Sequence, residues 1–154
     1  MDFKEFMLPN IKEAKEEIIT FKGVETFKDS KGKPIPLDFR KMNRKEYREL
    51  IKQFKIRKPA IDDKGDYIIS SNNKLVYDEE LDTAGLNDAV IAKTMVVPNL
   101  YDKELMEYYG VYSATELLNV MFKGDDYDYV DRCCSQACGF TAIDENEVIS
   151  ELKN

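Results

Sequence analysis

The sequence predicts an α+β fold, mainly α: an N-terminal antiparallel β-hairpin region, a second β-hairpin, and a C-terminal bundle of short helices. Three observations predict it. Between Pro98 and Phe140, helix-patterned segments are separated by Gly110 and Gly124, and Gly139 closes the last. Each begins at a polar or acidic residue suited to an N-cap and ends at a glycine suited to the position after a helix. Upstream, the stretch from about Glu80 to Val97 is apolar nearly all round, the pattern of a buried helix. Further upstream, Asp29-Ser30-Lys31-Gly32 and Ser70-Ser71-Asn72-Asn73-Lys74 are turn sequences between short apolar runs.

At 154 residues the chain is expected to form one domain, 1–154, with a β-containing part over about 15–78, a helical part over about 79–140 and an acidic tail over 141–154. Residues 3–17 carry Phe3, Phe6, Met7, Ile11 and Ala14 at near-helical spacing broken by Pro9, which suggests an N-terminal arm or short helix. Ile18 to Phe21 read as a strand. The chain then turns at Asp29–Gly32 and returns over Ile35 to Met42, with Pro34 and Pro36 confining that strand to an edge or to its opening residues. Asn43 is placed to cap the next helix, with Glu46 three residues on. Tyr47, Leu50, Ile51 and Phe54 form the apolar face of that helix, which ends over Lys55 to Pro59. Tyr67–Ile69 and Leu75–Tyr77 are read as the strands of the second hairpin, and Asp62 to Asp66 as its entry turn.

Gly85 in the long helix either lowers its propensity, by about 1 kcal/mol, or permits a close crossing. Pro98 is read as its stop. Of the short helices, the first groups Leu105, Met106 and Tyr109, with Tyr101, Tyr108 and Tyr112 on its shoulder. The second is capped by Ser113 with Glu116 at the third position, and buries Ala114, Leu117, Leu118, Met121 and Phe122. The third opens with Asp125 and Asp126 at the positive end of its dipole and lines its inner face with Val130, Cys133, Cys134, Ala137 and Cys138. Val148, Ile149 and Leu152 suggest a weak final helix. No internal repeat and no low-complexity tract is visible.

Composition narrows the function classes. A net charge of −7 argues against nonspecific nucleic-acid binding, and the basic residues from Lys31 to Lys58 are interleaved with acids as on a solvated face. No run approaches the ~18 apolar residues of a membrane span, and the N-terminus lacks a signal-peptide core, so a cytoplasmic protein is expected. The chain has no histidine. That excludes Ser-His-Asp and Cys-His nucleophile systems in their usual form, and histidine-ligated metal sites.

Cys133, Cys134 and Cys138 invite a metal or redox reading, but three thiols without a second pair fall short of a four-ligand zinc site. Their spacing on one helical face favours buried core. Asp62-Asp63-Lys64-Gly65-Asp66 lacks the register of a calcium loop, and phosphate-binding glycine motifs are absent. No cofactor, metal site or catalytic residue is therefore expected. The tyrosines at 101, 108, 109, 112, 127 and 129 fit either the boundary of a core or a partner surface.

Pro98-Asn99-Leu100, Glu104-Leu105, Tyr109-Gly110-Val111, Glu116-Leu117-Leu118 and Gly139-Phe140, in this order, resemble the C-terminal signature of the XkdN-like phage tail assembly chaperones. Phe27-Lys28-Asp29 with Gly32-Lys33-Pro34-Ile35-Pro36 is similar to the N-terminal hairpin of that family, and Glu79-Glu80-Leu81-Asp82 to its next helix entry. The Ile61–Tyr77 hairpin looks like a local elaboration, and Asp125-Asp126-Tyr127 departs from the family's helix entry. The resemblance implies a non-enzymatic chaperone of phage or prophage tail assembly that acts in the bacterial host cytoplasm. It implies binding to the tape measure protein, recruitment of tail tube protein, and absence from the finished particle. Self-association is a further expectation. Tyr101, Tyr108 and Tyr112 are the expected contact residues. The rival readings are a small structural accessory component retained in the tail or neck, and a small enzyme working through carboxylates or an exposed thiol.

Overall fold

The computed structural model describes residues 17–139. The expected N-terminal arm up to residue 16 and the expected tail over 141–154 lie outside them. The chain forms two compact units: one takes the described residues up to Met42 and from Ile91 on, the other is Asn43–Val90.

The first unit is built on a three-stranded antiparallel sheet of β1 (Ile18–Phe21), β2 (Leu37–Arg40) and β5 (Met95–Val97), in the order β1-β2-β5. β2 begins just after Pro36, since a proline cannot donate to the ladder, and alternates buried Leu37 and Phe39 with half-buried Asp38 and Arg40. The β1–β2 connection closes on Asp29: its carboxylate Oδ1 accepts from the amides of Lys31 at 2.8 Å and Lys33 at 3.0 Å, while Gly32 takes φ of 79°.

Helices α3 (Lys103–Tyr109), α4 (Ala114–Met121) and α5 (Asp125–Cys138) complete this unit. Asp102 caps α3 through the Leu105 amide, and Ser113 caps α4 through the Glu116 amide. Gly110 and Gly139 end α3 and α5 in the left-handed region. Gly124 departs from the expected pattern. It does not follow α4 directly, which ends at an extended Phe122; it occupies the N-cap position of α5 with φ of 57°. The inner face of α5 buries Val130, Cys133, Cys134, Ala137 and Cys138, as its spacing predicts. α5 packs on β2. Phe27 meets Phe122 edge-on at 5.5 Å, and the Tyr129 hydroxyl donates to the Lys22 carbonyl at 2.6 Å.

The second unit starts with α1 (Arg44–Gln53), where Asn43 Oδ1 accepts from the Glu46 amide and Leu50 is buried. Two corrections follow. Lys55–Pro59 is not only the end of that helix: it is strand β3, paired antiparallel with β4 (Tyr77–Leu81). The regular strands of the second hairpin are therefore these two, and Tyr67–Ile69 and Leu75–Val76 contribute only isolated bridges. The signal is charge: Arg57 and Lys58 lie opposite Glu79 and Asp78, Lys58 pairs with Glu80 at 3.0 Å, and Lys55 approaches Glu79 at 3.9 Å.

The long helix is shorter than its apolar run. α2 spans Thr83–Thr94; Glu80 and Leu81 belong to β4, and Met95–Val97 to β5, where β-branched Val96 and Val97 suit a strand. Pro98 is thus not what stops it. Its start is set by Asp82, whose Oδ1 accepts from the Gly85 amide at 3.0 Å. A side chain at Gly85 would collide with that carboxylate and touch the Phe54 ring at 3.0 Å, so the glycine serves a tight local cap.

Gly23 is the position with least room. A Cβ there would overlap the Ile35 main-chain carbonyl, which cannot rotate away as a side chain can. Gly23→Ala is expected to lower stability by about 3 kcal/mol, at the upper end of overpacking, read as a lower urea midpoint at unchanged slope. An unchanged midpoint would show that the β1–β2 connection adapts.

Candidate functional site

Among the described residues, the most exposed large aromatic and aliphatic side chains group on two surfaces. One lies in the first unit around α3. Asp102 starts that helix and Gly110 stops it, so it is only seven residues long, with no buried residue. The expected shared shoulder is thereby corrected. Tyr108 lies in α3, Tyr101 precedes it, and Tyr112 follows it in the link to α4. All three are exposed, at 51% for Tyr101, 82% for Tyr108 and 93% for Tyr112. Tyr108 packs edge-on against Tyr109 at 5.0 Å and lines an open groove of about 430 Å3 with Asn99, Asp102, Glu104 and Leu105. Tyr101 and Tyr112 do not line it. Burial lifts the Tyr101 hydroxyl above its ordinary pKa, against the opposing pull of Arg40.

The second surface lies in the Asn43–Val90 unit. Three apolar triplets, Pro59-Ala60-Ile61, Tyr67-Ile68-Ile69 and Leu75-Val76-Tyr77, are separated by two five-residue turns. This eight-residue repeat corrects the expectation of no internal repeat; its signal is the recurrence of triplet and turn at positions 59, 67 and 75. The middle residues close a ring of main-chain hydrogen bonds: Ile68 N to Ala60 O at 3.0 Å, Val76 N to Ile68 O at 3.0 Å, and Ala60 N to Val76 O at 2.8 Å. Three hairpin arms leave this ring, through the pairs Ile61–Tyr67, Ile69–Leu75 and Pro59–Tyr77.

The turns repeat the chemistry of Asp29. Asp62 Oδ1 accepts from Lys64 at 2.9 Å and Asp66 at 3.0 Å, with Gly65 at φ of 85°. Ser70 Oγ accepts from Lys74 at 3.3 Å, with Asn73 at φ of 60°. Because extended residues alternate sides, the outer members of all three triplets share one face and Ala60, Ile68 and Val76 take the other. On the shared face Ile61, Tyr67, Ile69, Leu75 and Tyr77 are between 41% and 62% exposed; on the other, Ile68 is 40% exposed and Ala60 is buried.

The cysteines line the inner face of α5. Cys133, Cys134 and Cys138 are all buried and unpaired by disulfides, and Cys134 Sγ lies 3.3 Å from the buried Thr94 hydroxyl. Hydrogen bonding with Cys138, then burial, holds the Cys134 thiol well above its ordinary pKa, and burial lifts that of Cys133, whereas the hydrogen bond with Cys134 lowers the Cys138 thiol to about 7 against the opposing effect of burial. Among the described residues no group of three His, Cys, Asp or Glu is placed to hold a metal ion, and no helix is long and apolar enough to cross a membrane.

The α+β fold thus exposes large side chains around α3 in one unit and on the three-arm scaffold in the other. The family model of the phage XkdN-like tail assembly chaperone protein matches residues 3–153, and the chain belongs to that family. Among solved structures, the crystal structure of the protein YqbN is similar, with a TM-score of 0.67 and 20% identity, covering 92% of this chain and 98% of that one. At that identity the likeness is one of fold. No curated protein matches the chain.

Tyr129 supplies a pH test of the packing. Burial, then the neighbouring Cys133, pushes its pKa up to about 12. A tyrosine free in the unfolded chain ionises near 10, so between about pH 10 and pH 12 the folded state holds a proton that the unfolded state has lost. Stability is therefore expected to fall as pH rises through this window. Tyr129→Phe should fall less steeply there in urea unfolding; parallel curves would contradict the assignment.

Proposed function

We propose that this protein is a non-enzymatic chaperone of tail assembly that binds the tape measure protein and helps to recruit tail tube subunits. It would act in the cytoplasm of a bacterial host, for a phage or a prophage, and be absent from the mature particle. Family membership supports the assembly role. The observation that carries the binding role is the exposure of Tyr108, which lines an open groove, and of Tyr112 in the link after α3.

A long helical partner needs a site that accepts the apolar face of an amphipathic segment. Leu105 and Tyr108 supply apolar contact in the groove, and Asp102 and Glu104 give it a negative rim. Tyrosine is suited to such a contact because it offers a large, rigid ring with a polar tip, and truncating it typically costs about 2 kcal/mol or more where it anchors an interface. Tyr101 extends the same stretch of chain.

The test is co-expression with the tape measure protein encoded in the same gene cluster, scored as soluble complex. The wild-type chain is expected to hold it in solution. Tyr108→Ala with Tyr112→Ala should weaken binding at least tenfold at unchanged thermal stability, because both rings are exposed. Full binding by this variant would remove α3 from the contact. No complex with the wild-type chain would overturn the tape measure assignment itself.

A further inference from the structure

We propose that the ring of Ile61, Tyr67, Ile69, Leu75 and Tyr77 is a self-association surface on which a second copy of this chain packs face to face. Proteins that remain single rarely expose a contiguous apolar patch of more than a few hundred Å2. Here five large side chains stand exposed on one face of a hydrogen-bonded three-arm scaffold. Three turns of one design fix the connections, two of them within this scaffold, each closed by a side-chain hydrogen bond to the main chain.

Two features select a second copy as the occupant. No groove for a helix is formed by these extended triplets, and the two-fold homodimer, in which one patch meets itself, is the commonest closed assembly. Its ends are also complementary in charge. The turn over 62–66 carries Asp62, Asp63 and Asp66 against Lys64, whereas the turn over 70–74 carries Lys74 and no acid. The two turns leave the triplet Tyr67–Ile69 at opposite ends, so an antiparallel copy sets the acidic turn of each chain against Lys74 of the other.

The strand edges of the same unit argue for the face as the contact. Joining β3 to its copy would oppose Lys55, Arg57 and Lys58 with themselves, and joining β4 to its copy would oppose Asp78, Glu79 and Glu80. Like charges directly across a ladder repel, a common device against edge pairing. Covering the five side chains in both copies removes on the order of 1,000 Å2 in total, the lower bound of a specific interface. A weak, reversible dimer follows, with dissociation in the micromolar range.

Sedimentation equilibrium of the purified full chain, without any partner, tests this from low micromolar to near-millimolar concentration. The wild-type mass is expected to rise from monomer toward dimer. Ile69→Lys, and separately Tyr67→Ser, should hold the chain monomeric with an unchanged far-UV spectrum and melting temperature. Asp63→Lys should weaken the dimer about tenfold, and adding Lys74→Glu should restore it, which a general loss of folding cannot do. A monomer at every concentration, or a dimer indifferent to both face variants, would overturn the proposal. So would a wild-type monomer whose Ile69→Lys variant loses a tail protein in pull-down, since the occupant would then be that protein. This experiment contains no tape measure protein, so its outcome leaves the test of the chaperone reading independent.

Discussion

Burial of Phe39 is the constraint on which the larger unit depends. β2 is four residues long, yet it is paired on both sides, by β1 and by β5. Phe39 is fully buried there and meets Phe21 edge-on at 5.8 Å. A strand this short gains little from its own ladder, and a small sheet needs packing against other elements to persist. α5 supplies that packing, with an inner face of small residues and thiols that lets the helix lie close to the sheet. Arg40 Nε donates to the Lys93 carbonyl at 3.1 Å, just ahead of β5, and the Thr94 hydroxyl donates to the Ile91 carbonyl and lies 3.3 Å from the Cys134 sulfur. In this setting the cysteines are shape and volume. All three sulfurs lie in the core.

The smaller unit solves a different problem. It has few buried side chains of its own, and backbone polar groups left unpaired would be costly. Its answer is a closed ring of main-chain bonds at Ala60, Ile68 and Val76, with each turn sealed by an Asp or Ser side chain that substitutes for missing backbone partners. Rigidity obtained this way does not require the large side chains to be buried. Ile61, Tyr67, Ile69 and Leu75 are thereby available as surface. The cation–π contact of Arg57 over Tyr77, at 4.2 Å, continues the same face onto β3 and β4.

Local chemistry was legible in the sequence where it acts within a few residues. Asn43, Ser113 and Asp102 cap their helices, and the inner face of α5 follows from 3.6-residue spacing alone. What was not legible depends on partners distant in sequence. Met95–Val97 reads as helix until β2 is present to pair with it, and Lys55–Pro59 has no apolar alternation because its complement is a row of acids more than twenty residues away. The exposed tyrosines were visible as a cluster, but helical spacing placed three on one shoulder, whereas Asp102 and Gly110 leave only Tyr108 on the helix. The three-arm scaffold was missed because each triplet is too short to show a period. Only the recurrence of the turns reveals it.

Under the proposed function the chain works on proteins that are being assembled and departs before assembly ends. Quantitative mass spectrometry of purified particles, set against the lysate in which they form, tests this most directly. The chain is expected to be abundant in the lysate and absent from particles, while tube and tape measure proteins are recovered in full. A fixed number of copies per purified particle would contradict the account and make the protein a structural component of the tail.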